Sequence, residues 1–444
     1  MRCTPLEGFV AARIGAASTG FGRAELERWQ LERVRRTVAW AAERSAFYRE
    51  RLRGLGAGWP ASLAQLAELP FTTSDDLREH GERLLCVSQD EVERVVTLRT
   101  SGTTAAPKRL WFTRPDQEST LDFFEAGMST LVGPDDRVLI LFPGELPGSV
   151  GELLARALER LRATPLLHGP IRDLRATLRE AGRSRPTSVV GAPTHVLALH
   201  AYAQAVAEGQ GPLRLRTALL TADHVPESIV RRLRSFGCEA FEHYGMTEMG
   251  LGCAVDCGAH AGYHLRETAL YLEIVDPVSG EVLPEGTPGE VVFTTLDRRG
   301  MPLLRYRTGD LSRFVPDRCP CGTTLRRLER VCSRVGALAV PCGRQARVTL
   351  PALEEVLFAL PGLVDFTAAV SRAGRRSRLV VEARGVDGKD GALLLAVERA
   401  LRSIPEIRDA EREGALQVSA SAHSIEERPS MGLGKRAIVE LDRG

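Results

Sequence analysis

The sequence lacks a hydrophobic run of membrane-spanning length. No stretch of about eighteen consecutive apolar residues occurs in its 444 residues, which argues against a transmembrane helix. The first residues also lack an apolar core of the length found in signal peptides, so we expect a cytoplasmic protein. The net charge is only +2, and the charges are scattered. We therefore expect no binding to nucleic acid and none to an anionic membrane.

Lysine is scarce, because only Lys108, Lys389 and Lys435 occur among the 59 basic residues. Arginine has replaced lysine almost everywhere as the generic surface cation. A lysine that remains is therefore expected at a position that requires a compact ammonium group rather than a planar guanidinium. We interpret Lys389, within a Val-Asp-Gly-Lys-Asp-Gly segment, as a solvated loop residue.

A disulfide framework is also unexpected, because the nine cysteines are an odd number in a long chain without an export signal. Their clustering instead favours a metal site made of two cysteines on one tight turn and a distant cysteine–histidine pair: Cys319, Cys321, Cys257 and His264. Such nitrogen and sulfur ligands fit a closed tetrahedral Zn²⁺ site. Cys253 and His260 are rival ligands, and buried unreactive cysteines or a redox dithiol are the alternative interpretations.

The periodicity of apolar residues predicts an α/β architecture from about residue 95 to residue 310. Predicted strands that are buried on both faces lie at 138–142, 188–190 and 217–221. Predicted helices lie at 151–162, 194–208 and 226–236. This alternation is typical of a layered α/β sheet. After about residue 335, helices and strands alternate in a smaller α+β unit. We therefore predict a large N-terminal domain, 1–334, and a small C-terminal domain, 337–444.

Two further patterns concern the N-terminal region. The apolar stripe of residues 23–54 predicts one long helix. Thr73, followed three residues later by Asp76, is typical of the capping signal that begins a helix.

One segment has the composition of a polyphosphate-binding loop. It contains small hydroxyl residues and a glycine, and it ends in a lysine: Thr100, Ser101, Gly102, Thr103, Thr104 and Lys108. Backbone N–H groups, hydroxyls and an ammonium group all bind phosphate oxygens. The segment is not a Walker motif, and the strand-like residues 109–113 that follow indicate a loop between two strands. An ordinary turn rich in Ser, Thr and Gly is the alternative.

Four more motifs follow this loop at 243–248 (His-Tyr-Gly-Met-Thr-Glu), 305–310 (Arg-Tyr-Arg-Thr-Gly-Asp), 330–343 and 432–435 (Gly-Leu-Gly-Lys). In this order and at these separations, the motifs resemble those of the adenylate-forming superfamily of acyl-CoA synthetases, adenylation domains and luciferases. The resemblance extends nearly from end to end. Phe47-Tyr48-Arg49 and the segment 70–78 resemble in particular the phenylacetate–CoA ligase branch.

The resemblance implies a role for each matched residue. The loop would wrap the β- and γ-phosphates of ATP, Glu248 would hold Mg²⁺, and Thr247 would contact the α-phosphate. Lys435 would bridge the substrate carboxylate and the α-phosphate. Tyr244 would pack on the adenine, and Asp310 would accept both ribose hydroxyls. The segment Thr221-Ala222-Asp223 lies where the family has a strand end beside the adenine. The residues that the resemblance assigns to the nucleotide in this way are Ala222, Asp223, His243, Tyr244, Gly245, Asp310 and Arg334. A structural Zn²⁺ held by the cysteine–histidine set is also implied.

The activity implied by the resemblance is that of an AMP-forming carboxylate–CoA ligase. A carboxylate attacks the α-phosphate of ATP, and Mg²⁺ and a mobile ammonium neutralise the charge that develops. The thiol of CoA then attacks the acyl-adenylate after the C-terminal lid domain swings about a hinge. The partners are a small organic acid, aryl acids included, with ATP and CoA, and a homodimer is compatible with the sequence. The rivals are an enzyme that uses a non-CoA acceptor and a non-catalytic nucleotide-binding relative.

Three departures from the family pattern affect these expectations. Ala105-Ala106 occupies a loop position where glycine is usual, and an alanine with positive φ would cost about 1 kcal/mol. Gly336-Ala337 replaces the acidic pair at the hinge, although glycine still allows a large backbone rotation. Residues 142–149 are rich in Pro and Gly rather than in aromatic residues, so a stacked aryl pocket is not assured.

Overall fold

The computed structural model describes residues 3–16, 20–56, 58–98, 107–206, 213–343, 346–373, 376–386, 390–425 and 435–441. Over these ranges, no helix combines the length and the apolar character that crossing a bilayer requires. The chain forms two compact units. The first comprises residues 1–133, 145–162 and 241–335, and the second comprises residues 134–144, 163–240 and 336–444.

The helices, in chain order, are α1 (Pro5–Ile14), α2 (Arg23–Arg44), α3 (Ala46–Arg51), α4 (Ser74–His80), α5 (Arg114–Met128), α6 (Val150–Arg160), α7 (Leu174–Ser184), α8 (Pro193–Ala205), α9 (Glu227–Ser235), α10 (Leu350–Leu357), α11 (Asp390–Ser403) and α12 (Pro405–Arg412). The strands are β1 (Val92–Leu98), β2 (Lys108–Thr113), β3 (Arg137–Ile140), β4 (Thr164–Leu167), β5 (Ser188–Gly191), β6 (Thr217–Leu220), β7 (Glu239–Tyr244), β8 (Ala254–Val255), β9 (Tyr263–Leu265), β10 (Leu270–Val275), β11 (Gly289–Thr295), β12 (Tyr306–Ser312), β13 (Arg327–Leu328), β14 (Ser333–Arg334), β15 (Val340–Cys342), β16 (Ala346–Val348), β17 (Leu363–Ala373), β18 (Arg376–Gly385), β19 (Leu416–Ser424) and β20 (Ile438–Glu440).

The N-terminal helices begin and end at polar caps. The prediction of a single helix over 23–54 is wrong, because Ser45 is extended and separates α2 from α3. Its hydroxyl accepts a hydrogen bond from the backbone N–H of Tyr48 at 3.2 Å and so caps α3. The capping box of Thr73 and Asp76 at the start of α4 is confirmed.

The strands of the first unit form antiparallel arrangements that carry three of the sequence motifs. Strands β1 and β2 pair so that Leu98 lies opposite Lys108. The predicted phosphate loop therefore joins two paired strands, as expected. One antiparallel sheet has the order β10-β11-β12-β14, and β7, β8, β9 and β13 pair in sequence as another. Buried apolar side chains such as Phe293 and Tyr306 fill the core between these elements.

The second unit contains the parallel strands that the sequence predicts. Strands β6, β5, β3 and β4 pair in that order, and the three predicted strands are confirmed as β3, β5 and β6. Their side chains are almost completely buried, because these short runs are apolar on both faces. Helices α7, α8 and α9 alternate with these strands along the chain, which confirms the α/β class.

The C-terminal part of the second unit is a mixed sheet with the order β19-β18-β17-β20 and three helices. Strands β17 and β18 are antiparallel, whereas β19 and β20 run parallel to their neighbours. Helix α12 and the short strands β15, β16 and β20 were not predicted from the sequence. One division between the units falls at Val335 and Gly336, next to the predicted domain boundary. The second unit also contains residues assigned to the large N-terminal domain, so the separation of a catalytic domain from a mobile lid stays a prediction.

Candidate nucleotide and metal sites

A buried carboxylate joins three of the sequence motifs in the first unit. The carboxylate oxygen Oε1 of Glu248 lies 2.5 Å from Nζ of Lys108 and accepts a hydrogen bond from the Tyr306 hydroxyl at 3.3 Å. The side chains of Lys108 and Glu248 are only 12% and 3% exposed. Lys108 ends the predicted phosphate loop, Glu248 ends the motif 243–248, and Tyr306 belongs to the motif 305–310. The structure therefore brings these motifs to one point.

Glycine is required where the chain turns toward Glu248. Strand β7 ends at Tyr244, and a Cβ atom on Gly245 would lie 2.6 Å from the carbonyl oxygen of Leu251. Such a distance is too short for any side chain, so only glycine allows this close approach. Thr247 and Glu248 follow in a short 3₁₀ helix, which ends at Gly250 with a φ of 74°.

A second buried carboxylate lies between an aromatic hydroxyl and a guanidinium. The Tyr244 hydroxyl donates to Oδ2 of Asp310 at 2.9 Å, and Nε of Arg334 lies 2.8 Å from Oδ1. Burial raises the pKa of Tyr244 well above its usual value, so the hydroxyl stays protonated and acts as the donor. Arg334 also donates to the carbonyl oxygen of Thr308 at 2.7 Å. Both oxygens of Asp310 therefore have defined partners.

The backbone at Asp310 is shaped by a neighbouring strand. Gly309 has a φ of 76°, a left-handed conformation that favours glycine, and its N–H donates to Oε1 of Glu290 at 2.9 Å. Oε2 of the same carboxylate accepts from Nε of Arg307 at 2.8 Å. The N–H of Asp310 donates to the Thr308 hydroxyl at 2.9 Å. These contacts give Arg307, Thr308 and Gly309 each a defined part in positioning Asp310.

Four side chains of the first unit form a compact cysteine–histidine cluster. The sulfur of Cys257 lies 3.8 Å from that of Cys319, and Nε2 of His264 lies 3.3 Å from Cys257 and 3.5 Å from the sulfur of Cys321. All four side chains are buried, and their ligand atoms lie within 4.8 Å of one another. His264 comes from β9, and the two cysteines 319 and 321 come from the turn before β13.

The distances within this cluster fit a tetrahedral zinc ion. Bonds of about 2.3 Å to sulfur and about 2.0 Å to nitrogen give sulfur–sulfur edges of about 3.8 Å and sulfur–nitrogen edges of about 3.5 Å. The rival residues lie outside the cluster. Nδ1 of His260 lies 2.6 Å from Oδ2 of Asp256, and Cys253 is buried, which raises the pKa of its thiol. The geometry therefore favours the four-residue set that contains Cys257 and His264.

The chain is similar to known proteins over a region that contains the phosphate loop and the motif 243–248. Residues 64–295 match the family model described as AMP-binding enzyme. The chain is 32% identical over 369 residues to a phenylacetate-coenzyme A ligase of Thermus thermophilus, a match that covers 79% of each protein. It belongs to the AMP-binding enzyme family, in the phenylacetate–CoA ligase branch. A phenylacetate-coenzyme A ligase of Escherichia coli is 28% identical over 401 residues, which cover 86% of this chain and 87% of that protein.

A solved structure supports the fold of this AMP-binding family member. A 2-hydroxyisobutyryl-CoA ligase in the postadenylation state has a TM-score of 0.78 and 20% sequence identity to the chain. The match covers 95% of this chain and 90% of the other. At that identity the likeness shows the fold alone, and the large α/β fold expected from the sequence is confirmed.

The predicted nucleotide residues fall into three groups in this AMP-binding family member. In the first unit, Lys108 contacts Glu248, and Tyr244 and Arg334 contact Asp310. His243 instead packs near Phe123, with the ring centroids 6.0 Å apart. The loop residues Thr100, Ser101, Gly102, Thr103 and Thr104 lie outside the described residues. Ala222, Asp223 and Lys435 belong to the second unit. Their action on the same nucleotide as Glu248 stays a prediction.

The second unit nevertheless brings two predicted sites together. Ala222 has a φ of 77°, an unusual conformation for alanine. Oδ2 of the adjacent Asp223 accepts a hydrogen bond from the backbone N–H of Arg436 at 3.0 Å. Arg436 directly follows Lys435, whose side chain is exposed. The strand end after β6 therefore contacts the peptide that carries the predicted catalytic lysine.

Three residues that support these sites were not predicted from the sequence. Glu290 shapes the turn at Gly309, Arg298 donates to the carbonyl oxygen of Glu248 at 2.5 Å, and Arg436 contacts Asp223. Glu290 had a detectable signal, because it is a charged residue in the otherwise uncharged and fully buried strand β11. Arg298 and Arg436 had none, since arginine is the common cation throughout this chain.

Proposed function

We propose that this protein is an AMP-forming carboxylate–CoA ligase that activates a small organic acid with ATP and transfers the acyl group to CoA. The observation that carries the proposal is the convergence of Lys108, Glu248 and Tyr306 at one buried point, with three motifs contributing one residue each. The named relatives, which are phenylacetate-coenzyme A ligases, support the acyl-CoA product.

In the first half-reaction, a carboxylate oxygen of the acid attacks the α-phosphorus of ATP, and the bond to pyrophosphate breaks. The ammonium of Lys108 would move from Glu248 to the phosphate oxygens of ATP. Glu248 would hold Mg²⁺, which neutralises phosphate charge when it is bound. Lys435 would hold its ammonium against the developing charge, and Thr247 would contact the α-phosphate.

Asp310 would orient the ribose. Two hydroxyls of a ribose are donors, and each oxygen of an ionised carboxylate accepts hydrogen bonds. Tyr244 and Arg334 hold the Asp310 carboxylate in place from two sides, so its geometry is set before the nucleotide binds. Tyr244 would also supply the ring against which the adenine packs.

In the second half-reaction, the sulfur of CoA attacks the acyl carbonyl, and the bond from the carbonyl carbon to AMP breaks. The predicted lid movement about Gly336 would withdraw Lys435 and admit the thiol. Cys257, His264, Cys319 and Cys321 would hold a structural Zn²⁺, because their donor set and spacing fit that ion and leave no open position for a substrate. The cytoplasmic location, a homodimer and the lack of a nucleic-acid partner stay predictions.

The acid is the least defined element of the proposal. The relatives named as phenylacetate-coenzyme A ligases make an arylacetic acid the first candidate. The segment 142–149 provides only Phe142 as an aromatic residue, so short aliphatic acids belong in the same test.

The test is pyrophosphate release from ATP with a panel of arylacetic, benzoic and short aliphatic acids, each with and without CoA. We expect release that depends on one class of acid, is accelerated by CoA and is lost in Lys435→Ala. Lys389→Ala is the matched control, since it removes a lysine outside the motifs. Release that amines but not CoA accelerate would favour another acceptor. ATP binding without release for any acid would contradict the proposal and favour a non-catalytic relative.

A further inference from the structure

Arg436 follows the predicted catalytic lysine directly, yet the two side chains have opposite surroundings. The side chain of Lys435 is exposed, whereas that of Arg436 is only 15% exposed. The guanidinium of Arg436 donates through Nε to Oε1 of Glu354 at 2.8 Å and through Nη2 to the carbonyl oxygen of Phe366 at 2.8 Å. Its Nη1 donates to Oδ1 of Asp365. Each nitrogen of the guanidinium therefore has a partner.

Two aromatic rings complete the pocket around this guanidinium. Its central carbon lies 4.3 Å from the ring centroid of Phe366 and 5.0 Å from that of Phe358. A cation at these distances from ring faces gains cation–π attraction in addition to its ion pairs. Because the planar group is bound by two carboxylates, a carbonyl oxygen and two rings, its position and orientation are strongly restricted.

The backbone of Arg436 is held from another direction. Its N–H donates to Oδ2 of Asp223 at 3.0 Å, and Oδ1 of Asp223 accepts from the N–H of His224 at 2.9 Å. Beyond Arg436, strand β20 pairs with β17, with Ile438 opposite Ala368. The peptide between Lys435 and β20 is thus anchored by a side chain, by a backbone amide and by a strand.

We propose that Arg436 and Asp223 are positioning residues that fix the backbone from which Lys435 extends. This inference rests on the proposed role of Lys435 in adenylation. A lysine side chain is long and flexible, so the position of its ammonium is well defined only when the position of its Cα is fixed. A misplacement of about 1 Å in a reacting group can cost about 100-fold in rate. The contacts of Arg436 and Asp223 are therefore needed for adenylation, which uses Lys435. The transfer of the acyl group to CoA does not need them.

Asp223, which holds the backbone of Arg436, also lies at the strand end that the family resemblance assigns to the adenine. The carboxylate of Asp223 is engaged with two backbone amides, so its role differs from direct contact with the base. If Asp223 bound the adenine, its substitution would raise the KM for ATP. A backbone anchor of the lysine would affect the kcat of adenylation and leave the KM for ATP nearly unchanged.

The test uses Arg436→Lys and Asp223→Asn in the full chain, with Arg384→Lys as the matched control. Arg384 also contacts Asp365, at 3.5 Å, but it lies on β18 and is not part of the lysine peptide. Arg436→Lys retains the charge and removes the planar fork, whereas Asp223→Asn leaves the Arg436 pocket intact. Two half-reactions are measured separately: acid-dependent ATP–pyrophosphate exchange, and thioester formation from a supplied acyl-adenylate and CoA.

We expect both variants to lower the kcat of exchange by about 10- to 100-fold, with less than about a threefold change in the KM for ATP. Thioester formation from the supplied adenylate should stay within about twofold of wild type. Amide hydrogen exchange in the peptide 435–441 should become faster in both variants and stay unchanged in Arg384→Lys. This exchange measurement reports the anchor even for a chain that shows no ligase activity.

Three results would overturn the inference. Unchanged hydrogen exchange in the peptide 435–441 would show that β20 alone holds it. An equal loss in both half-reactions would indicate a general structural defect, and an increase confined to the KM for ATP would make Asp223 an adenine ligand. Failure of the proposed function is distinguishable, because wild type would then catalyse no exchange while the hydrogen-exchange contrast between variants remained.

Discussion

The ammonium of Lys108 lies 2.5 Å from the carboxylate of Glu248, although 140 residues separate them along the chain. Both groups are nearly buried, so each compensates the other in an environment where a lone charge would be costly. Phosphates are expected at Lys108 and Mg²⁺ at Glu248, and the two roles require the pair to separate. The contact thus places the expected phosphate ligand and the expected Mg²⁺ ligand side by side.

Replacement of Glu248 by glutamine is expected to impair adenylation more than nucleotide binding. The variant keeps the side-chain volume but removes the negative charge that would hold Mg²⁺ and balance Lys108. We expect a loss of about 100-fold in the rate of pyrophosphate release, as is typical when one preorganised charge or donor is removed. The Mg²⁺ concentration for half-maximal rate should rise. Initial rates across a magnesium titration measure both effects, and an unchanged magnesium dependence would contradict the role of Glu248.

The sequence predicts those elements of the fold that have a local residue pattern, and it does not predict contacts between distant residues. Apolar runs reveal β3, β5 and β6 because strands buried on both faces need apolar side chains throughout. Glu248 and Asp310 are recognisable because the order and separation of their motifs, 243–248 and 305–310, resemble those of the adenylate-forming superfamily. The contact of Arg436 with Asp223 spans 213 residues, and no local pattern encodes it. The break at Ser45 was missed because the helical stripe continues on both sides of the cap.

Substitution of Gly245 by alanine is expected to distort the segment between Tyr244 and Glu248. A Cβ atom there would lie 2.6 Å from the backbone oxygen of Leu251, which cannot move as a flexible side chain can. We expect a loss of about 1–3 kcal/mol in the free energy of unfolding and weaker ATP binding. Gly133→Ala is the matched control, because no heavy atom lies within 4 Å of its added Cβ. Denaturant titration and calorimetric ATP titration of both variants provide the comparison, and equal behaviour would refute the steric argument.

The cysteine–histidine cluster predicts a bound metal that can be counted. Metal analysis of the purified protein should find about one zinc ion per chain, and Cys319→Ser should reduce that content strongly. The variant should also unfold at a lower temperature, because a closed zinc site contributes directly to folding stability. Cys332→Ser is the control, since Cys332 is exposed and outside the cluster. Wild-type protein that contains no zinc after expression with added zinc, and that chelators do not destabilise, would leave buried thiols as the interpretation.

Acid should destabilise the second unit through His200 of α8. Burial lowers the pKa of His200 to about 4, while its ring stacks on Phe236 with the centroids 5.6 Å apart. In the unfolded chain a histidine has a pKa of about 6.5, so between these values the unfolded state binds more protons than the folded state. The stabilising contribution is therefore complete above about pH 6.5 and is lost as the pH falls toward 4. The linkage between proton binding and folding gives a loss of about 2 kcal/mol in the free energy of unfolding between pH 7 and pH 5.

The variant His200→Phe tests this linkage, because it retains an aromatic ring against Phe236 and removes the titrating group. We expect the difference in unfolding free energy between pH 7 and pH 5 to be smaller in the variant than in wild type by about 2 kcal/mol. Urea titrations at the two pH values measure it. His243 provides a comparison in the first unit, since burial also lowers its pKa to about 4. An identical pH dependence in His200→Phe and wild type would mean that the buried imidazole does not control the acid sensitivity, and the loss of stability would then originate in other titrating groups.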